Sequence, residues 1–253
     1  FDQQKLAHAF LFTGIRGVGK TTIARIIAMG LNCETERKPT ANPCTTCSSC
    51  KAILQDRYED VLEIDAASNT GVEDVREIIS SLKYRPSKGN YKVFIIDEVH
   101  MLSNSAFNAL LKTIEEPPSY VKFIFCTTEM QKIPITIISR CQKYNLNRVT
   151  LIELRDYLEQ IVVLEKLKIS KDAITIIARN SEGSIRDGLT ILDQCLLSFN
   201  NENVDVDHVN QTIGLTSQSF LLDLYIHIVN GDVVQANSVL HNIYKNGAAP
   251  QQI

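Results

Sequence analysis

The glycine-rich stretch Gly14–Thr21 has the residue types and spacing of a phosphate-binding loop. It reads Gly-Ile-Arg-Gly-Val-Gly-Lys-Thr, which is a glycine, four residues and then Gly-Lys-Thr. Glycines suit such a loop because backbone N–H groups must approach the phosphates closely, in conformations that side chains disfavour. Lys20 would reach the terminal phosphates, and the Thr21 hydroxyl would ligate Mg²⁺. The residues expected to bind the nucleotide are Gly14, Gly17, Val18, Gly19, Lys20, Thr21 and Thr22.

The segments on either side of this loop support the same interpretation. Ala9–Phe12 is a short apolar run that predicts a buried strand, and Thr22–Leu31 carries isoleucine and leucine residues at helical spacing. A helix that begins at the end of the loop adds the partial positive charge of its N-terminus. A glycine-rich turn formed by chance is the alternative, and the flanking strand and helix disfavour it.

Two adjacent carboxylates form a second group of residues that could do chemistry. Val93–Ile96 is wholly apolar, as expected for a strand buried on both faces of a parallel sheet, and Asp97 and Glu98 follow it directly. Ligands bind at the carboxyl ends of such strands. Asp97 would hold Mg²⁺ through water, and Glu98 would orient and polarise an attacking water molecule. A solvated Asp-Glu pair is the alternative, which the preceding phosphate loop disfavours.

A further buried strand, predicted at Val121–Cys126, ends in hydroxyl residues. Thr127 and Thr128 follow it and would face the same edge of the sheet. A hydroxyl at this place could position the water or the terminal phosphate, or it could simply form a turn, and the local sequence leaves both alternatives open.

Four cysteines cluster in an insert at residues 33–50. Cys33, Cys44, Cys47 and Cys50 have the spacing Cys-x10-Cys-x2-Cys-x2-Cys, and such pairs wrap a tetrahedral ion. Four thiolates predict a closed structural Zn²⁺ site, with Cys33 the most loosely spaced ligand; reduced or reactive thiols are the alternative. The remaining cysteines are isolated among apolar residues and are expected in the core. They are Cys126, Cys141 and Cys195.

The composition is that of an ordinary globular protein. The chain has 253 residues, of which 44% are hydrophobic and 22% charged, with a net charge of −3. Any contact with nucleic acid must therefore use a local patch or a partner. No apolar stretch approaches the roughly 18 residues of a membrane helix, and no signal peptide is present, so we expect a cytoplasmic protein. The chain begins at Phe1 without methionine, which indicates a fragment of a longer protein.

The periodicity of the chain changes near residue 150. Before it, strands alternate with helices, which predicts a doubly wound α/β domain over residues 1–148. After it only helical spacing is found, which predicts a small helical domain at 149–213 and a helical pair within 214–253. Residues that would begin helices are Ser103 or Asn104, Ser170, Ser184, and a capping box at Thr70–Glu73. His8 would be solvated or a cap.

Taken together, the chain resembles the AAA+ clamp-loader ATPases, in particular the γ and τ subunit family of bacterial DNA polymerase III. The resemblance extends over essentially the whole chain. It rests on Gly14–Thr21, the cysteine insert, Glu63–Ser68, Asp97–His100, Ser139–Cys141 and Gly183–Asp187. It implies a P-loop AAA+ domain with an inserted zinc module at 1–148, a helical lid at 149–213 and the start of a helical collar at 214–253.

The resemblance also implies roles that spacing alone does not show. Thr128 matches the sensor of the γ-phosphate, Arg140 the arginine finger that reaches a neighbouring subunit, and Arg186 the second sensor, on the lid. Without the family, Arg140 would be taken as a surface arginine and Arg186 as the partner of Asp187 or Asp193. The catalytic set implied is Lys20, Asp97, Glu98, Thr128, Arg140 and Arg186.

The function implied is that of an ATP-driven motor subunit that opens a sliding clamp and loads it on primed DNA, without being the polymerase itself. ATP, Mg²⁺ and structural Zn²⁺ are the implied cofactors. The implied partners are the other subunits of a ring, the clamp, and DNA through the assembled complex, with no membrane. In this family a segment before Phe1 contacts adenine, and it is not part of this sequence.

Three other functions fit this sequence less well than that of a clamp-loader motor. The cysteine insert and Ser-Arg-Cys argue against another AAA+ DNA motor, such as a branch-migration subunit. A non-hydrolysing structural subunit would be expected to have lost Lys20, Thr21 or Glu98, and all are present. A small-molecule kinase does not suit the lid with Arg186 or the collar-like tail.

Overall fold

The computed structural model describes residues 6–35, 38–68, 71–199, 203–213 and 218–245. The chain divides into two compact units, Phe1–Arg148 and Val149–Ile253. Within the described ranges, no helix combines the length and the apolar character needed to cross a membrane.

A five-stranded parallel sheet forms the centre of the first unit. Its strands are β1 (Ala9–Thr13), β2 (Val61–Asp65), β3 (Lys92–Asp97), β4 (Val121–Thr127) and β5 (Gln142–Asn145). The spatial order is β2-β3-β4-β1-β5. Since β4 lies between β1 and β3, its carboxyl end emerges between the glycine loop after β1 and the carboxylate pair at the end of β3.

Helices cover the sheet and follow the strands in the predicted alternation. They are α1 (Lys20–Asn32), α2 (Ser48–Leu54), α3 (Val72–Ser81), α4 (Asn104–Glu115) and α5 (Ile135–Ile138). Single 3₁₀ turns are formed by Val99–Met101 and Met130–Lys132. Helix α1 begins two residues before the predicted Thr22, because the left-handed Gly19 already turns the chain into the helix. Helix α2 was not predicted.

Alternating side chains of the strands pack into two separate cores, one on each face of the sheet. On β1, Phe10 and Phe12 pack in one core with Ala28 of α1. Leu11, between them, packs on the opposite face with Phe107 of α4. A sheet covered on both faces requires apolar residues at consecutive positions, which explains the unbroken apolar runs in the sequence. The predicted doubly wound α/β fold is confirmed.

The second unit is entirely helical in its described part, apart from one bridge between Ile169 and Val204. Its helices are α6 (Leu151–Leu164), α7 (Lys171–Asn180), α8 (Ile185–Ser198), α9 (Val206–Ile213), α10 (Gln218–Val229) and α11 (Val233–Lys245). Helices α6 to α9 share one buried core. Leu224 of α10 packs against residues of α11. The predicted division after residue 213 borders residues 214–217, which lie outside the described ranges, so a separate collar domain stays a prediction.

Serine hydroxyls begin three helices at the predicted places. Ser103 Oγ accepts a hydrogen bond from the N–H of Ala106 at 3.2 Å, which selects Ser103 rather than Asn104 as the cap of α4. Ser170 and Ser184 cap α7 and α8 in the same way. The predicted box at Thr70–Glu73 cannot be compared, because Thr70 is outside the described residues.

A capping box that the sequence analysis did not predict opens α6. The N–H of Glu153 donates to Thr150 Oγ1 at 3.3 Å, and the N–H of Thr150 donates to Glu153 Oε2 at 3.0 Å. The two bonds satisfy N–H groups that have no partner within the helix. They fix the start of the second unit's first helix.

Candidate functional site

The glycines of the loop after β1 are required by its backbone. Gly14, Gly17 and Gly19 have φ angles of 152°, 76° and 100°, which side-chain-bearing residues rarely adopt. At Gly14 an added Cβ would lie 2.6 Å from the carbonyl oxygen of Leu146. The loop therefore keeps its curvature only with glycine at these places.

Lys20 is held inside this loop. Only 5% of the residue is exposed, and its Nζ donates to the carbonyl oxygens of Gly14 at 3.0 Å and Ile15 at 2.9 Å. Gly19, which precedes α1, provides no side-chain cap, so the N-terminal N–H groups of the helix keep their partial positive charge. The ammonium group and the helix end together make a site suited to phosphate.

Thr21 and Asp97 meet although they lie 76 residues apart. The Thr21 hydroxyl donates to Asp97 Oδ2 at 2.5 Å, and the other carboxylate oxygen accepts from the N–H of Glu98 at 2.9 Å. A hydroxyl and a carboxylate are oxygen ligands of the kind that Mg²⁺ takes. The two side chains that the sequence assigned to Mg²⁺ are therefore brought together.

Glu98 turns the chain sharply at the end of β3. Its φ and ψ of 45° and 44° are left-handed, an uncommon conformation for a residue with a side chain that often marks a functional site. The turn separates the directions of the two carboxylates. Asp97 contacts Thr21, whereas Glu98 Oε2 accepts from the hydroxyl of Thr128 at 3.1 Å and from its N–H at 3.2 Å.

Arg140 lies after α5, and its side chain is 37% exposed. Its Nη2 contacts Glu115 Oε1 at 2.6 Å, and its Nη1 donates to the carbonyl oxygen of Thr136 at 2.7 Å. The guanidinium is thus held at the surface of the first unit by residues of α4 and α5.

Arg186 lies in the first turn of α8, in the second unit, and is exposed. Among the residues that the structure describes, its guanidinium forms no ion pair, so the alternative pairings with Asp187 and Asp193 are not made.

The four cysteines of the insert converge on one point. The sulfur atoms of Cys33, Cys44, Cys47 and Cys50 all lie within 4.8 Å of one another. Zn–S bonds of about 2.3 Å in a tetrahedron place sulfur atoms about 3.8 Å apart, so this cluster fits a structural zinc ion. None of the four is in a disulfide.

The surroundings of these sulfur atoms affect them differently. A hydrogen bond with Thr35, together with backbone N–H groups, lowers the pKa of Cys44 to about 5. Burial raises the pKa of Cys50, which packs with Cys33 in the core beside α1. The N–H of Cys47 donates to the sulfur of Cys44 at 3.3 Å. The surroundings of Cys44 thus favour its thiolate, whereas Cys33 and Cys50 anchor the insert in the core beside α1.

The other cysteines lie in the apolar cores, as predicted. Cys126, Cys141 and Cys195 are buried, and burial raises the pKa of each thiol, that of Cys141 to about 12. They have no part in the cluster. His8 is exposed ahead of β1, in agreement with a solvated residue.

Comparison with known proteins places this arrangement in a family. The family model "DNA polymerase III, delta subunit" matches residues 1–150, and "DNA polymerase III clamp loader subunit, ATPase lid domain" matches residues 153–200. The γ subunit of Buchnera aphidicola subsp. Schizaphis graminum is 40% identical over 100% of this chain and 69% of its own length. This chain belongs to the γ/τ subunit family of DNA polymerase III.

Other members of the γ/τ family are longer. The τ subunit of Escherichia coli is 46% identical over 92% of this chain but only 36% of its own length, and that of Bacillus subtilis is 43% identical over 99% and 44%. The chain therefore spans about a third to under a half of these τ relatives. A likeness to the solved Thermotoga maritima RuvB Holliday junction branch migration motor has a TM-score of 0.58 at 20% identity. It covers 90% of this chain and 70% of that one, and it supports the AAA+ fold alone.

The structure of this γ/τ family member shows three contacts that the sequence analysis missed. Arg25 of α1 forms a two-pronged pair with Glu63 of β2, both bonds 2.6 Å long, and this pairing raises the pKa of Arg25. Glu115 pairs with Arg140. The side chain of His100, only 6% exposed, lies beside Glu98. Glu63 and His100 stood in motifs that carry the family resemblance, which was the only sequence signal for them.

Proposed function

We propose that this chain is the ATP-hydrolysing motor of the bacterial sliding-clamp loader. The observation that carries the proposal is the 2.5 Å contact between Thr21 and Asp97, beside the contact of Glu98 with Thr128. These contacts gather the groups needed for nucleoside triphosphate hydrolysis at one edge of the sheet. Membership of the γ/τ family supplies the clamp-loader context. No polymerase activity is assigned to the chain.

Nucleotide binding would use the residues from Gly14 to Thr22 and the end of α1. The phosphates would replace the carbonyl oxygens of Gly14 and Ile15 as partners of Lys20, and they would accept from the loop N–H groups. Thr21 and Asp97 would hold Mg²⁺, which offsets the negative charge of the phosphates.

Hydrolysis would use the Glu98 carboxylate to orient a water molecule and accept its proton. The water oxygen forms a bond to the γ-phosphorus while the bond to the β–γ bridging oxygen breaks, which gives ADP and phosphate. A positioned base contributes about 10²- to 10⁴-fold to such a reaction. Thr128, in contact with Glu98, would report the presence of the γ-phosphate.

Two arginines would connect the site to the rest of the complex. Arg140 is surface-exposed, as a finger that reaches the nucleotide of a neighbouring subunit must be, and such a finger is worth about 10³- to 10⁵-fold. Arg186 would report the nucleotide to the lid, residues 149–213. Residues 214–253 would begin the collar that holds the ring.

Coupling to the clamp would follow from differential binding. ATP would favour the ring arrangement that opens the clamp and grips primed DNA, and hydrolysis would remove that preference and release both. The partners are then the other loader subunits and the clamp, with DNA bound by the assembled complex. The net charge of −3 agrees with DNA contact through the complex rather than through this chain alone. Zinc, held by the four cysteines, would be structural.

The test is steady-state ATP hydrolysis by the loader reassembled with the full-length subunit. Wild type and Arg140→Ala are compared with and without clamp and primed DNA, and Arg155→Ala serves as the control because Arg155 is also exposed and ion-paired. We expect clamp plus primed DNA to stimulate the wild type and the control strongly. Arg140→Ala should lose this stimulation, by about 10³-fold if the finger has its usual worth, while it still binds nucleotide.

If the wild-type rate of ATP hydrolysis did not change when clamp and primed DNA were added, the motor function would be contradicted. A rate that is stimulated equally in Arg140→Ala would instead remove Arg140 from the mechanism and leave the motor function standing.

A further inference from the structure

We infer that His100 is a positioning residue that holds the Glu98 carboxylate in the direction needed for hydrolysis. The inference rests on the proposed function, because it assigns Glu98 the role of the base. No motif or family match assigns His100 a task. The residue is singled out by its burial and by the groups that both of its ring nitrogens contact.

His100 belongs to the 3₁₀ turn Val99–Met101, which follows the left-handed Glu98. The side chain is only 6% exposed. A polar ring at this depth needs partners for both nitrogens. It finds them in Glu98, in Thr127 at the end of β4, and in Glu129 just beyond it.

The two nitrogens are engaged on opposite sides of the ring. Nδ1 lies 3.0 Å from Thr127 Oγ1 and 3.3 Å from Glu98 Oε2. Nε2 lies 3.3 Å from Glu129 Oε1. Glu129 is itself held, because Lys132 Nζ donates to Oε1 at 2.8 Å and the N–H of Glu129 donates to Thr127 Oγ1 at 3.0 Å. The imidazole is therefore fixed by residues that are themselves fixed.

These contacts determine how the Glu98 carboxylate is oriented. In the described chain, every side-chain contact of Glu98 falls on Oε2: the N–H and the hydroxyl of Thr128, and Nδ1 of His100. One anchored oxygen leaves Oε1 to accept from a water molecule. Because Thr128 and His100 belong to different elements, the two together stop the carboxylate from rotating. With Thr128 as its only contact, the Glu98 carboxylate could still rotate.

The role requires a donor at the Nδ1 position. With the proton on Nδ1, the ring would donate to Thr127 Oγ1 or to Glu98 Oε2, since both oxygens are within reach. Asparagine places an amide nitrogen near Nδ1, whereas glutamine places one near Nε2. The two amides differ by one methylene group, so a comparison of them separates donation to Glu98 from the simple filling of space.

The experiment uses the reassembled loader with clamp and primed DNA, and the full-length subunit carrying His100→Asn, His100→Gln or His100→Ala. The measured quantities are kcat, KM, and the Kd for a fluorescent, non-hydrolysed ATP analogue, which also counts the folded sites. We expect His100→Gln and His100→Ala to lower kcat by about 10-fold or more, as small misplacements of a reacting group do. KM and Kd should stay within about twofold, and His100→Asn should recover most of kcat.

The control is His8→Asn. His8 is exposed and precedes the first residue of β1, whereas the glycine loop follows the last residue of that strand. The kcat of this variant should equal that of the wild type. Wild-type kcat in all three His100 variants would overturn the inference. The inference would also be overturned if the kcat per folded site of His100→Asn were no higher than that of His100→Gln. That result would show that His100 has a purely structural role.

Failure of the inference can be told apart from failure of the proposed function. If the wild-type loader hydrolyses ATP and Glu98→Gln abolishes it while the His100 variants are unaffected, the inference alone is wrong. If the wild-type loader does not hydrolyse ATP at all, the proposed function fails and the inference fails with it.

Discussion

The cysteine cluster shows how single residues carry both chemistry and stability here. Hydrogen bonds lower the pKa of Cys44 to about 5 and so favour its thiolate, but four sulfur atoms within 4.8 Å of one another repel once more than one of them ionises. A divalent cation at the centre offsets that charge. Because Cys33 and Cys50 also pack in the core beside α1, the cation and the sheet stabilise the same segment.

We therefore expect the purified protein to contain about one zinc ion per chain and to be destabilised when the ion is removed. Cys47→Ser should lose most of the metal. It should lower the melting temperature by about 5 °C or more, since 1 kcal/mol corresponds to about 2–4 °C at this size. Elemental analysis and thermal unfolding, with and without a chelator, measure both effects.

Cys195→Ala is the control, because Cys195 is buried in the core of the helical unit and is not one of the four clustered cysteines; its metal content should equal that of the wild type. A wild-type protein free of zinc, or a Cys47→Ser variant with full metal, would contradict the assignment.

Residue types and spacing predicted the groups of the candidate site, but not their contacts. Gly-Lys-Thr and the cysteine spacing are visible because each depends on a short stretch of chain. The partners of Lys20 are two backbone carbonyls, which leave no trace in the sequence. Glu115 lies 25 residues from Arg140, and only the packing of α4 beside α5 brings them together. Such contacts follow from tertiary structure, which the local pattern does not contain.

At the scale of elements, one carboxylate connects the start of β2 to the loop that leads into β3. Asp60 accepts from the N–H groups of Ser87 at 2.7 Å and of Lys88 and Gly89 at 2.8 Å each. Burial acts to raise the pKa of Asp60, but the three N–H bonds outweigh it and hold the pKa below its usual value. Since β3 ends in Asp97, this loop helps to set the position of the candidate site.

We expect Asp60→Asn to lower the free energy of unfolding by about 1–3 kcal/mol at pH 7, because the amide nitrogen that replaces Oδ2 cannot accept from the N–H groups of Lys88 and Gly89. A carboxylate whose pKa is lowered by folding contributes its stability above the unfolded value of 3.8. That contribution is lost as the pH falls through the folded pKa. The difference between variant and wild type should therefore be constant near neutrality and shrink below about pH 4.

Urea unfolding at several pH values measures this difference. Asp223→Asn is the control, because Asp223 is exposed on α10, and it should change stability little at any pH. A difference that is absent at pH 7, or that grows as the pH falls, would show that Asp60 does not act through its charge.

Elements with strong periodicity were predicted well, and those without it were not. The buried strands and the amphipathic helices repeat apolar residues at fixed spacing, so β3, β4 and α8 lie close to their predicted places. Edge strand β5 has four exposed residues, so no buried apolar run in the sequence marks its position. Helix α2 was missed because its first turn contains Cys50, and the segment was interpreted as a metal insert alone.

At the scale of the whole molecule, the proposed mechanism divides its residues between two subunits. Lys20, Asp97 and Glu98 would act on the nucleotide of their own chain, whereas Arg140, held at the surface by Glu115, would serve a neighbour. A head-to-tail contact of this kind repeats around a ring, so each interface combines the nucleotide site of one copy with the finger of the next. Two defects in different subunits can then be compensated at a shared interface.

This division predicts complementation between inactive variants. Loaders built only with Glu98→Gln or only with Arg140→Ala should hydrolyse ATP very slowly. In loaders assembled from an equal mixture, about a quarter of the contacts between copies combine an intact Glu98 with an intact Arg140, as random head-to-tail pairing requires. The mixture should recover a clamp- and DNA-stimulated rate well above the mean of the two parents.

Mixing Arg140→Ala with the double variant Glu98→Gln/Arg140→Ala should recover nothing, because no finger remains. A mixture at the parental mean would show that Arg140 serves its own chain, since only a finger acting on a neighbour can restore the activity of a chain that lacks one.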